Sequence, residues 1–240
     1  MKKFSTMIRG GLYLAACFSL TAHAATANPD PDPWQHWNRK VFTFNKSVDT
    51  HVFKPVAKGY RQVAPQLVDD AITRFFQNLQ EPLHLVNNAL QGKAMAAGQD
   101  LGRLTVNTVT SLGFADLASR MGMPRHDEDF GQTLGRWGAS SGPYVVIPFL
   151  GPSTVRDAAT LPLDSLLNPR NLVEPDSAAL AMFALEKVDF RADLIPLETL
   201  LEGDEYLLMR DLFLQRREFL VKDGKVRDEF LEEEDAEPAH

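Results

Sequence analysis

Between Asp129 and Asp157 the chain reads DFGQTLGRWGASSGPYVVIPFLGPSTVRD. Glycines stand at 131, 135, 138, 142 and 151, and Pro143, Pro148 and Pro152 surround the apolar run Tyr144 to Leu150. No other stretch limits the fold so tightly. A proline removes a backbone donor and fixes φ, so neither a helix nor a central strand runs cleanly through it. The run is far too short to span a bilayer as a helix, yet too apolar for an ordinary solvated loop. Irregular apolar backbone must be shielded by other protein, by lipid or by both. Long amphipathic segments flank it on each side and are the obvious shield.

Those segments read as helices. In 34–45, Trp34, Trp37, Val41 and Phe44 recur at helical spacing behind an Asp32-Pro33 start. A short second helix is expected over 52–63, opening at Pro55. In 66–79, Leu67, Val68, Ala71, Ile72, Phe75, Phe76 and Leu79 form one wide apolar face, with Asp69, Asp70, Arg74 and Gln77 opposite. Glu81-Pro82 is expected to break that helix, with Pro82 opening the next, 83–90, which Gln91-Gly92 closes. A long segment, 93–112, then carries small residues suited to close helix contact. A short helix follows over 116–121, and a charged loop over 124–129. Beyond the central stretch, Pro152-Ser153-Thr154 is read as a helix start, Pro175-Asp176-Ser177 as the cap of a helix over 178–194, and 205–221 as the last helix. Tyr144 to Ile147 is the only strand candidate. The class is all-α.

The length of 240 residues suits one domain, and the formal net charge of −7 argues against nucleic acid as a partner. Cys17 is the single cysteine, so no intrachain disulfide and no Cys/His metal pattern exist. The mean hydropathy of −0.21 is not that of a polytopic membrane protein. Lys2, Lys3 and Arg9 precede an apolar stretch, and Ala22-His23-Ala24 offers a signal-peptidase site. Leu14-Ala15-Ala16-Cys17 competes as a lipobox that would make Cys17 a lipidated N-terminus. Both readings export the protein from a bacterial cytoplasm. The chain thus divides into a signal over 1–24 (or a lipoprotein signal ending at 16), an extended tether over 25–33, a helical domain over 34–224 and an acidic, disordered tail over 225–240.

Gly138-Ala139-Ser140-Ser141-Gly142 matches the G-x-S-x-G nucleophile elbow in form only. That elbow joins a strand to a helix, whereas Pro143 and a strand-like run follow here. The only histidine after Ser140 is His240, so a flexible glycine hinge is the better reading and no catalytic residue is assigned. His126-Asp127-Glu128-Asp129 lacks the alternate spacing of a calcium loop and is read as solvated; no metal or other cofactor is expected. Trp34, Trp37, Phe42 and Phe44 fit a membrane-interface belt or a core stripe equally.

Taken in order, several pieces resemble one family. They are Asp32-Pro33 with Trp37-Asn38-Arg39 and Phe44-Asn45; Asn78-Leu79-Gln80-Glu81-Pro82; Val86-Asn87; Leu90-Gln91-Gly92; Arg103; Asn107-Thr108; and Gly113-Phe114-Ala115-Asp116. The strongest run from Phe130-Gly131-Gln132-Thr133-Leu134-Gly135 through Gly142-Pro143-Tyr144-Val145 and Pro148-Phe149 to Arg156-Asp157, followed by Tyr206, Arg210, Gln215-Arg216 and Phe219. Over about 32–224 the chain resembles the MlaA, or VacJ, family of Gram-negative phospholipid-transport lipoproteins. The resemblance implies a ring-like helical protein in the inner leaflet of the outer membrane, facing the periplasm. It implies a central amphipathic channel that takes phospholipid mislocalised to the outer leaflet, a soluble periplasmic carrier as acceptor, and trimeric porins as partners. The family's hinge beside the channel maps onto Gly138, Ser140 and Gly142; members often carry glycine where this chain has Ser140. Arg136, Arg156 and Lys187 are candidate phosphate contacts. An esterase using Ser140 and a purely structural outer-membrane lipoprotein are the rival functions.

Overall fold

Helix α1 (Gln35–Val48) is the first element, and the structure, a computed structural model, describes residues 30–200 and 203–225. Cys17, both signal-cleavage sites, most of the tether and the acidic tail lie outside the described residues. A π-helical turn, Asp49–Phe53, leads without a break into α2 (Lys54–Val63). The separate second helix expected from 52 is therefore corrected to a continuation. Pro55 offers no N–H and crowds the carbonyl one turn back, and a widened turn just before it accommodates the ring. Arg191 grips this turn through Asp49, with Nε 2.6 Å and Nη2 2.9 Å from its two carboxylate oxygens.

The break expected at Glu81-Pro82 is also absent: α3 runs from Gln66 to Leu90 with Pro82 inside it. Proline removes one intrahelical bond, but both halves are fastened to the same neighbour, α4 (Ala94–Ser111). Asn78 donates to Thr108 Oγ1 at 3.0 Å, Arg103 Nε donates to Glu81 at 2.8 Å, and Asn88 donates to Asp100 at 2.7 Å. Partner numbers fall as α3 numbers rise, as an antiparallel pair requires. The short α5 (Leu117–Arg120) is capped by Asp116, which accepts from Ser119 N at 3.0 Å. Burial opposes ionisation of Asp116, yet bonds from Ser119 and Asn107 and the Arg103 charge bring it down to about 2.

Asp129 caps α6 (Phe130–Arg136), accepting from Gln132 N at 2.7 Å. The central stretch then folds as a hairpin. Strand β1 (Tyr144–Ile147) pairs antiparallel with β2 (Gly151–Thr154), Tyr144 opposite Thr154 and Ile147 opposite Gly151. The helix start expected at Pro152 is thus corrected: Pro152 and Ser153 belong to a strand, and Thr154 ends it and caps α7 (Val155–Leu166). Two asparagines on α1 serve the hairpin as a third edge. Asn38 donates to Tyr144 O and accepts from Val146 N; Asn45 donates to Ile147 O and accepts from Phe149 N. Side-chain amides thereby supply the ladder bonds that a two-stranded sheet lacks on that edge. Tyr144, Val146, Val41 and Tyr206 form the small apolar core behind it. A 3₁₀ turn (Pro169–Leu172) leads to α8 (Asp176–Leu194), a second follows (Ile195–Leu200), and α9 (Glu205–Val221) closes the fold. The fold is all-α with one small hairpin.

The faces of the helices are not disposed as in a protein made for water. Among the described residues, nine apolar side chains are buried against eighteen polar or charged ones, while thirty large apolar side chains are exposed. On α3 the buried positions include Asn78, Glu81, His84, Asn87 and Asn88, whereas Leu67 is 78 % exposed. Trp37, at 61 %, and its neighbours Trp34 and Phe44 also face outward; only Phe42 joins the core. Exposed apolar area of this extent is a contact surface. No helix among the described residues is long and apolar enough to cross a membrane.

Candidate functional site: a polar hollow inside an apolar shell

Residues 73, 76, 77, 80 and 84 lie along one stripe of α3, and that stripe forms one wall of a cavity of about 660 Å³. The 124–129 loop, Gln132 of α6, Glu186 to Phe190 of α8 and Phe213 to Leu220 of α9 complete it. Its lining is amphipathic: Phe76, Leu83, Phe190 and Leu220 alternate with charged groups of both signs. A second, more open hollow of about 680 Å³ lies between the first turns of α4 and the end of α9. Asp127, Glu128 and Leu220 border both hollows and form the wall between them.

Most of the charge in the first cavity is committed. Arg217 clamps Asp129 with two bonds of 2.5 and 2.6 Å, and its Nε lies 2.7 Å from Asp157. Burial alone would lower Arg217, but the two carboxylates outweigh it and hold the guanidinium above its ordinary value. Burial likewise opposes ionisation of Asp129, and Arg217 and Gln132 reverse that, keeping it below the usual carboxylate range. Neighbouring Asp164 accepts from the Phe130 N–H at 2.9 Å, and burial pushes it up to about 6. Glu128 pairs with Lys93 at 2.8 Å, and Glu186 pairs with Arg170. Asp189, raised by burial, accepts from Tyr60 and Thr73.

The solvated acidic loop read from the sequence is therefore a correction. Glu128 is buried, Asp127 is tied to Arg125 at 2.6 Å, and His126 Nδ1 sits 2.8 Å from the buried Asp100. Each acid there has found a basic partner, which a charge count along the chain does not reveal. No group of residues suited to holding a metal occurs among the described residues.

Of the three cations named as phosphate contacts, Lys187 lines the cavity, its ammonium 5.3 Å above the Phe183 ring. Arg136 and Arg156 are not in that wall. Arg136 pairs with Asp223 at 2.7 Å, and Arg156 joins Asp157 to the Ala139 carbonyl. Gly138 and Gly142 hold φ of 95° and 66°, in the left-handed region that glycine alone enters at no steric cost. Ser140 is exposed between them, and no histidine among the described residues bonds to its hydroxyl. Sequence reading missed His84, Arg125 and Arg216 in the cavity. The available signal was the spacing of Asn78, Glu81, His84 and Asn88, a polar seam at helical period on a helix otherwise rich in apolar residues.

Polar seams turned inward around an amphipathic hollow, with large apolar residues turned outward, define a helical protein that sits against lipid. The chain belongs to the MlaA lipoprotein family, whose family model matches residues 30–220. Intermembrane phospholipid transport system lipoproteins MlaA of Shigella flexneri and Escherichia coli K12 are each 33% identical over 205 residues, covering 82% of this chain and 80% of theirs. That of Haemophilus influenzae is 31% identical over 202 residues, 81% of each chain. A solved structure, described as the structural basis for maintenance of bacterial outer membrane lipid asymmetry, superposes with a TM-score of 0.67 at 29% identity, covering 79% of this chain and 98% of that one. These relatives are named for transport, a non-enzymatic role, and the family is one of the outer membrane.

Proposed function

We propose that this chain is the outer-membrane component of an intermembrane phospholipid transport system. It removes mislocalised phospholipid from the outer leaflet through a channel and passes it to a soluble periplasmic carrier, in the retrograde direction, beside trimeric porins. The observation that carries this is the amphipathic cavity lined by helices whose apolar faces point outward. Apolar outer faces suit acyl chains, and a hollow with both charged and aromatic walls suits a headgroup and its first methylenes. The two hollows that share the Asp127–Glu128 wall are the two mouths of the channel in this reading. The carrier, the porins and the direction rest on the family resemblance.

Protein purified from native membranes in neutral detergent is expected to carry intact phospholipid, read by lipid mass spectrometry. Hydrolysed lipid, abolished by Ser140→Ala, would establish the esterase instead. The hinge is tested separately. A Cβ on Gly138 meets nothing within 4 Å, so Gly138→Ala alters the backbone preference alone, at a cost of about 1 kcal/mol. Gly142→Val adds a clash with Val155, 3.2 Å from the new Cβ. Both are expected to weaken rescue of outer-membrane lipid asymmetry in a deletion strain while the protein stays folded, and Ser140→Ala is expected to rescue fully. Normal rescue by both glycine variants removes the hinge from the mechanism.

A further inference from the structure

We propose that His84, Arg125 and Arg216 form a phosphodiester site in the cavity wall, and that the Asp127 carboxylate occupies it until a lipid headgroup arrives; this rests on the phospholipid reading above. Asp127 Oδ1 lies 2.6 Å from Arg125 Nε and 3.7 Å from His84 Nε2. Arg216 lines the same wall and, with Arg125 and His84, draws the Asp127 carboxyl down against the effect of its burial. Asp127 is half exposed, on a loop without regular structure.

The Glu128 backbone holds the imidazole in place: His84 Nδ1 lies 2.9 Å from the Glu128 carbonyl oxygen and 3.0 Å from its nitrogen. That leaves Nε2 facing the cavity, 3.4 Å from Arg125 Nη2, which donates to Gln80 Oε1 at 2.9 Å. Arg125 Nη1 is also buried with no hydrogen-bond partner among the described residues, an arrangement whose ordinary cost argues for a ligand. Arg217 is held by Asp129 and Asp157. Arg216 makes no ion pair within 4 Å among the described residues. Asp127 therefore meets one guanidinium directly, that of Arg125, while Arg216 in the same wall has no carboxylate of its own within that distance among the described residues. A phosphodiester brings one negative charge and two free oxygens, enough acceptors for both arginines at once, beside the His84 ring. Phe76 and Leu83 beside them receive the first methylenes of the chains.

The test loads full-length detergent-purified protein with phosphatidylethanolamine, with diacylglycerol as a phosphate-free probe and with inorganic phosphate alone. Removing two charge-assisted donors, Arg125→Gln with Arg216→Gln, is expected to lower retained phosphatidylethanolamine about tenfold or more and to leave diacylglycerol unchanged. Asp127→Asn removes the competitor at nearly constant size and is expected to raise retention about tenfold; it carries the test if the double variant does not fold. Unchanged retention in Asp127→Asn, with wild type loaded, overturns the site while leaving phospholipid transport standing. Inorganic phosphate bound as tightly as the lipid overturns the headgroup assignment in favour of a free-phosphate site. Wild type that carries no phospholipid overturns both readings.

Discussion

Arg103→Ala is expected to leave almost no folded protein in the membrane fraction. The guanidinium is 2 % exposed and meets Glu81 at 2.8 Å, Ser119 Oγ and the Met123 carbonyl each at 2.8 Å, and Asp116 at 3.2 Å. Alanine would strand the Glu81 carboxylate, 1 % exposed, between α3 and α4, and free the loop that follows α5. Breaking one side of a buried pair costs about 3–5 kcal/mol, against a total stability of roughly 5–15 kcal/mol. Chemical unfolding in detergent measures it directly. Replacing both partners, as Glu81→Leu with Arg103→Met, is expected to recover much of the loss, because the stranded charge and not the missing attraction dominates. A single variant within about 1 kcal/mol of wild type would mean that water reaches Glu81.

Arg217→Ala is the second large effect, and it depends on pH. The arginine joins Asp129, the cap of α6, to Asp157 in the first turn of α7, so it fixes the two helices that carry the glycine segment between them. In wild type the Asp129 pKa lies below its ordinary value, so its contribution is fully present above the ordinary carboxylate range. It is lost as pH falls through that lowered value. Without Arg217 the balance reverses: burial is the largest influence on Asp129 and then acts without its main cation. The variant is expected to lose about 3 kcal/mol at pH 7, and the gap should shrink toward pH 4 as the stranded carboxyls take up protons. Melting temperatures of both proteins at both pH values decide it. An equal gap at pH 4 and pH 7 would assign the effect to lost packing.

How far the sequence could be read depended on which solvent each pattern was addressed to. Helix α9 and most of α8 follow their apolar and capping signals closely, and the glycines at 138 and 142 adopt the positive φ that glycine permits. Local chemistry decides such features. The continuity of α3 through Pro82 was hidden, because what holds it is a set of polar bonds to a helix some twenty residues away. The direction of its faces was hidden for a deeper reason. Periodicity separates an apolar face from a polar one, but does not say whether the apolar one meets protein or lipid. Leu67 and Val68, on the apolar face, lie outside, and Asn87 and Asn88 of the same helix are fully buried. The cavity cations were lost for the same reason, since Arg125 reads as part of a charged loop until Gln80, His84 and Asp127 surround it.

An interior closed by asparagines, carboxylates and arginines changes what heat does to the molecule. Apolar surface newly wetted on unfolding raises the heat capacity, and polar surface lowers it. In this chain many large apolar groups are already exposed in the folded state, and the groups newly hydrated on unfolding are mostly polar. The heat-capacity increment per residue is therefore expected to fall well below the roughly 12–15 cal/mol/K of water-soluble domains. The stability curve flattens with it: such a protein is neither markedly weakened by cold nor strongly favoured at any one temperature.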